Sequence, residues 1–228
     1  QPGIRRLTEP PNGWARVTYG EILREVQRPI KLDDEKEYQL VVAKRSRGGI
    51  EPRERLLGRK ILTKTQFEIK ARDFLVSNRQ IVHGACGIVP QHLDGSVVSN
   101  EYTVLHANDV LDLTFLNHFT NSIFFQQTCF HASVGVDVEK MIFRIAEWFK
   151  MELNLPPLEE QKKIAEILST WDRAIESLNV KFNQHLSFEN AVIEKLFIEE
   201  RNWNVSAISD LASSEPNSFK DGDWVEAP

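Results

Sequence analysis

Two hydrophobic rhythms divide the chain. Up to about residue 150 the apolar residues come in short runs. Tyr38-Gln39-Leu40-Val41-Val42, Phe74-Leu75-Val76-Ser77, Gly87-Ile88-Val89, Val97-Val98-Ser99 and Tyr102-Thr103-Val104-Leu105 each read as a β-strand. Asp94-Gly95 supplies a turn between two of them. Helical spacing is predicted in three places. The first is a short helix around Tyr19 to Gln27, closed by Pro29. The second is capped by Asp109 and runs through Leu113, Leu116 and Phe119. The third is capped by Asp137, with Val138, Met141, Ile142, Ile145 and Phe149 on one stripe. Lys44 to Lys60 contains Gly48-Gly49, Pro52 and Gly58 and reads as a loop. The pattern predicts a domain of mixed α/β (α+β) architecture over residues 1–150.

From residue 156 the rhythm changes. Pro156-Pro157-Leu158-Glu159-Glu160-Gln161 has proline where a helix needs no N–H, then carboxylates at the positive end of the helix dipole. Ile164, Leu168, Trp171, Ile175, Leu178 and Phe182 follow at steps of 4, 3, 4, 3 and 4, the spacing of a coiled-coil seam. Beyond Phe182, His185 or Leu186 and then Glu189 or Val192 compete for the seam, and Ile193, Leu196 and Phe197 resume it. The prediction is one long coiled-coil helix over 156–202. At 1.5 Å per residue, Lys163 to Glu200 would span about 57 Å, against roughly 34 Å for one turn of B-DNA. Such a stripe needs a second long helix, in this chain, in a further part of it, or in a partner. Residues 203–228 read as the opening of another domain, too short to bury a core.

Composition narrows the function classes. Hydrophobic residues make up 41% of the 228, enough for an ordinary core, and no run of eighteen apolar residues occurs. No apolar segment follows Gln1-Pro2-Gly3-Ile4-Arg5-Arg6, so no signal peptide is expected, and the missing initiator Met suggests a processed or truncated chain. Two cysteines cannot make a disulfide framework, and a reducing cytoplasm is the simplest home. The net charge of −5 argues against nucleic acid until its distribution is considered. Lys44, Arg45, Arg47, Arg53, Arg55, Arg59 and Lys60 face only Glu51 and Glu54 within their stretch, which is +5 and leaves −10 on the rest. A local basic face can serve as a phosphate footprint, and arginine can read guanine O6 and N7. Lys64, Arg79 and Gln80 are further candidates, the last two in a loop after a strand. The plain alternative for all of them is a solvated surface.

Three other constellations carry possible chemistry. Glu68-x-Lys70 matches the end of a nuclease metal motif, but its earlier aspartate is missing, since Asp33 and Asp34 lie far back. His83, Cys86, Cys129 and His131 could be drawn as a zinc site, although the spacings suit buried thiols and satisfied histidines better. Trp171 could stack on a base, but its seam position fits a packing knob. No G-x-x-x-x-G-K-[ST] phosphate loop occurs.

Leu155-Pro156-Pro157-Leu158-Glu159-Glu160-Gln161-Lys162-Lys163-Ile164-Ala165-Glu166-Ile167-Leu168, continuing to Trp171-Asp172-Arg173-Ala174-Ile175, resembles the start of the spacer helix of type I restriction–modification specificity subunits. Asn12-Gly13-Trp14, Asp73-Phe74-Leu75-Val76-Ser77, Gly84-Ala85-Cys86-Gly87-Ile88-Val89 and Leu93 to Tyr102 are similar to parts of a target recognition domain of that family. Ser218 to Glu226 resembles the start of a second such domain. The resemblance implies a non-catalytic subunit that reads half of a split DNA target. Its partners would be double-stranded DNA, methyltransferase subunits and translocase–nuclease subunits. Cofactors would belong to those partners (S-adenosylmethionine, ATP and Mg), with none in this chain. Self-pairing through spacer helices is a further implication, and no membrane is involved. Two rivals stay open: a Mg-dependent nuclease using Glu68 and Lys70, and a coiled-coil adaptor that reads no DNA.

Overall fold

The computed structural model describes residues 3, 4 and 6–197 in full, and the backbone of 198 and 199. The chain divides into two units, the first ending at Trp171 and the second beginning at Asp172. In order, the first unit contains β1 (Ala15–Thr18), the helical turn α1 (Tyr19–Ile22), β2 (Leu23–Glu25), β3 (Pro29–Ile30), β4 (Glu37–Ala43), β5 (Ile50–Leu57), β6 (Gln66–Glu68), β7 (Phe74–Ser77) and β8 (Cys86–Ile88). Then come β9 (Val97–Ser99), β10 (Tyr102–Ala107), α2 (Leu113–Phe119), α3 (Ile123–His131), β11 (Ser133–Val134), β12 (Ile142–Phe143), α4 (Ile145–Trp148) and β13 (Glu152–Leu155). The long helix α5 (Leu158–Glu194) starts in the first unit and runs into the second, ending in a π-helical turn, Lys195–Glu199.

Three layers stack in the first unit. The middle one is a four-stranded sheet in the order β2-β10-β7-β8. Its strand β7 is buried at every position and shows why a continuous apolar run suits a central strand. Side chains alternate across a strand, so Phe74 and Val76 face one core and Leu75 faces the other. The first core is built with α1, α2, α3 and α4 and includes Tyr19 stacked on Trp148 at 3.9 Å. Thr128 ties both rings down, 3.3 Å from the Tyr19 hydroxyl and accepting from the Trp148 indole N–H at 3.1 Å. The second core lies against a five-stranded sheet in the order β3-β6-β9-β4-β5, and Val41, Ala43, Ile50 and Val98 fill it from that side. Only β4 and β9 pair in parallel within it.

The five predicted strands occur within a residue or two of their expected bounds, and Gly95 adopts the left-handed conformation a turn requires, with φ of 74°. Four expectations need correction. The helix expected over Tyr19 to Gln27 lasts one turn, its start capped by the Glu21 carboxylate, which accepts from the Thr18 N–H and hydroxyl. Leu23–Glu25 then pairs with Leu105–Ala107, because a sheet edge offers its backbone partners and buries Leu23. The cap of α2 is Asp112 rather than Asp109; its Oδ1 accepts from the Phe115 N–H at 2.8 Å. The helix expected from Asp137 shrinks to one 3-10 turn, Val138–Lys140, which Asp137 precedes without a side-chain cap bond; it joins β11 to β12, and the single turn α4 follows. The helix that fills the core there is α3, capped by Ser122, whose Oγ accepts from the Phe125 N–H at 3.1 Å. Finally, much of Lys44 to Lys60 is the strand β5.

The root of α5 is locked onto the first unit. Gln161 is fully buried. Its Oε1 accepts from the Asp112 N–H at 2.8 Å, and its Nε2 donates to the carbonyls of Val110 at 2.9 Å and Pro156 at 2.8 Å. Trp14 Nε1 donates to Glu160 at 3.1 Å, and β1 pairs with β13 immediately before the helix. Ala165 is buried in the first core and Ile164 packs against it. In the second unit, the fully described residues of α5 and its π turn are all exposed.

Candidate nucleic-acid interface

The basic stretch is a hairpin rather than a loop. β5 pairs with β4 from Ile50 opposite Ala43 to Leu57 opposite Glu37, with a register shift between Gln39 and Val41. As the outer strand of its sheet, β5 tolerates Pro52 and carries charge along an exposed edge. Eight strand residues cover about 26 Å, so the seven cations fall into separate groups.

At one end a helical turn, Arg45–Arg47, closes the hairpin. Ser46 and Arg47 both have positive φ, 56° and 59°, and the Arg47 N–H donates to the Gly84 carbonyl at 3.0 Å. That bond brings the turn against the Gln80–Gly84 loop. Arg45 pairs with Glu139 at 3.0 Å, and His83 Nε2 lies 3.2 Å from the other oxygen of the same carboxylate. Arg79 is ion-paired with Glu101, which raises the guanidinium pKa through their hydrogen bond. Gln80 is partly buried beside them, its side-chain carbonyl without a hydrogen-bond partner among the described residues.

Along the strand, Lys44 pairs with Glu51 at 3.0 Å, Arg53 lies 3.4 Å from Glu54, and Arg55 Nε donates to Gln39 at 2.9 Å. At the far end Arg59 pairs with Glu35 at 2.5 Å and Lys64 donates to the Gly58 carbonyl at 3.1 Å. Arg53 and Lys60 line a cleft of about 270 Å³ with Leu62 and Tyr102. Arg47 and Lys60 make no ion pair among the described residues. Exposed pairs of this kind exchange partners at little cost, so Lys44, Arg45, Arg53 and Arg59, held by Glu51, Glu139, Glu54 and Glu35, remain open to phosphate or base.

The structure brings Lys44, Arg45, Arg47, Arg79 and Gln80 to one end of the hairpin. It holds Arg59, Lys60 and Lys64 at the other, with Arg53 and Arg55 between. Sequence reasoning missed Glu139, which ties the β11–β12 ribbon to this surface from 94 positions away, and Arg28. Arg28 makes a two-pronged contact to Asp73, at 2.6 and 3.1 Å. The only local hint was Asp73 itself, a charged residue heading an apolar strand.

The other constellations take structural places. Glu68 lies on β6, and the Lys70 backbone N–H serves the buried Asp73 at 2.8 Å. Cys86 and Cys129 are buried in the first core, and burial pushes the Cys86 thiol up to about 12 and the Cys129 thiol well up too. Among the described residues no group of three or more His, Cys, Asp or Glu could hold a metal ion, and no helix is long and apolar enough to cross a membrane. On the helix, Leu168, Trp171, Ile175, Leu178 and Phe182 are all exposed, between 40% and 66%, whereas Ile164 is drawn into the domain.

A mixed α/β domain with a cationic edge hairpin, rooted on a helix with an uncovered apolar seam, has the form of a recognition module on a strut. The family model for the type I restriction modification DNA specificity domain matches residues 11–186. The chain belongs to that family. Its fold is similar to the HsdS subunit of Thermoanaerobacter tengcongensis (TM-score 0.65, 19% identity, 87% of this chain and 52% of that one). It is likewise similar to a chain from a structure of type I R-M complex assembly and conformational transition (0.64, 19%, 88% and 53%). The S subunit of a type I system from M. genitalium matches more loosely (0.54, 16%, 88% and 50%). The chain therefore spans about half the length of these proteins. No curated protein matches it by sequence.

Proposed function

We propose that this chain reads one half of a split DNA target for a type I restriction–modification assembly. Partner methyltransferase subunits would methylate adenine, and translocase–nuclease subunits would cut. The observation that carries the reading is the β4–β5 hairpin, which lines one edge of the domain with cations in a chain of the specificity family. Residues 1–150 would form the recognition domain, 156–202 the spacer helix, and 203–228 the beginning of a second recognition domain. Phosphate contacts from Lys44, Arg53, Arg55, Arg59, Lys60 and Lys64 would set the register, and Arg45, Arg47, Arg79 and Gln80 would approach base edges.

The exposed seam of α5 would pack against a second spacer helix, from a further half of the chain or from a second copy. At about 55 Å for 37 residues, the helix exceeds one turn of B-DNA. It can thus hold two recognition modules on separate groove segments. Two identical modules related by a two-fold axis would read an inverted repeat, and two different ones an asymmetric site.

The test is a map of adenine methylation, with this chain expressed beside its methyltransferase subunit in a host that lacks adenine methylation. A split motif present only with this chain is the expected result. Methylation that ignores the chain would overturn the reading, and a stable dimer that binds no duplex would favour the adaptor role.

A further inference from the structure

The β11–β12 ribbon is apolar on its outer side. Val134 and Ile142 are direct partners across it and share a face, exposed by 53% and 48%, while Ser133 and Phe143 turn inward and are buried. Val136, two residues past Val134, is 97% exposed, and Val138 is 39% exposed. Gly135 keeps the ribbon narrow: a Cβ there would lie 2.8 Å from the Lys140 carbonyl oxygen. Val134 and Ile142 sit on the paired strands, Val136 in the connection and Val138 in its 3-10 turn, and four exposed branched apolar side chains within nine residues mark a contact surface.

Its surroundings say what it contacts. Phe143 N–H donates to the Asn78 carbonyl at 2.8 Å, and Glu139 reaches Arg45 and His83. The ribbon therefore stands beside the Arg45–Arg47 turn and the Arg79-Gln80 loop. Glu139 would repel a phosphate, but its carboxylate is paired with Arg45. Arg47 and Lys140 make no ion pair among the described residues.

We infer that the β11–β12 ribbon enters the major groove of the target and packs Val136, flanked by Val134 and Val138, on thymine methyl groups. This rests on the DNA-reading function proposed above. A two-stranded ribbon fits the groove, roughly 12 Å wide, and apolar contact with the C5 methyl distinguishes thymine from the other bases. Asp137 at the tip adds an acceptor for a cytosine amino group.

The experiment uses the complex of the full chain with its methyltransferase subunit and the target duplex found by methylation mapping. Each thymine is replaced in turn by uracil, which removes only the methyl. The wild-type complex should lose affinity by about fourfold at one or two positions, the worth of one buried methyl group. Val136→Ala, or failing that Val134→Ala or Val138→Ala, should abolish that loss while leaving the thermal melt unchanged. A uracil penalty that survives in all three variants, or one seen nowhere, overturns the inference. So does loss of the methyltransferase subunit from the Val136→Ala complex with the thymine response intact, which would make the ribbon a protein contact. No preference for target over scrambled duplex would bring down the DNA-reading function and this inference together; target preference without a methyl effect brings down the ribbon alone.

Discussion

Asp73 lies 1% exposed yet bears a carboxylate, and three donors account for it: both arms of Arg28 and the Lys70 backbone N–H. Truncation to alanine strands a partly buried guanidinium and an amide. Breaking a buried pair costs about 3–5 kcal/mol, and the exposure of Arg28 places Asp73→Ala near the bottom of that range. Urea unfolding should show it as a lower midpoint at an unchanged slope. Cys86 makes a pH-dependent contribution. Its thiol rises from 9.0 to about 12 because burial disfavours the thiolate. The folded protein thus holds a proton that the unfolded chain releases above pH 9, and stability falls as pH rises from there toward 12. Below pH 9 the contribution is complete. Thermal melts should shift downward in that window, and Cys86→Ala should lessen the trend, with the buried Cys129 thiol keeping its share. At neutral pH both thiols should react with a disulfide reagent only as fast as the protein unfolds.

At the scale of elements, the root of α5 depends on one side chain. Gln161 makes three buried hydrogen bonds, to Asp112, Val110 and Pro156. Gln161→Ala leaves an N–H and two carbonyls without partners and should cost about 3 kcal/mol, since each stranded group costs roughly 1–3. Hydrogen exchange should quicken first at residues 110–113 and 158–165. The sequence marked this glutamine only as part of a helix-opening motif; its partners lie 49 and 51 positions back, beyond any local pattern. The same boundary explains the other elements. Runs such as Phe74-Leu75-Val76-Ser77 were legible because both faces of β7 are buried and the composition records it. β5 was not, because an exposed edge strand carries proline and charge where an inner strand carries valine. Helix α3 was invisible for a related reason: Ile123, Phe124, Phe125, Cys129 and Phe130 surround it without forming a stripe. The candidate cations could be read from local charge, but their division between two ends of a hairpin, and the valines set beside one end, arise only from pairing.

At the scale of the whole molecule, the proposed assembly would rest on the seam of α5. Ile175, Leu178 and Phe182 are exposed by 54% to 65%, more apolar surface than a free helix usually presents to water. Leu178→Glu places a charge in the seam. By sedimentation, any pairing of wild-type chains through it should be lost, while the melt of the first unit stays the same. If the second helix belongs to a further half of the chain, the same change should leave a monomer and loosen one half from the other.

Strand β1 opens the domain and strand β13 closes it, and the two are hydrogen-bonded side by side, with Ala15 opposite Leu155. The polypeptide therefore enters and leaves the mixed α/β domain through one doorway, at the foot of the helix. A segment with adjacent ends can be cut out and replaced without disturbing what lies on either side. If the proposed function holds, two crossovers in the gene, one beside Trp14 and one beside Pro156, would exchange the whole reading head and keep the strut. New target specificities could then arise by recombination in a single event rather than by stepwise change.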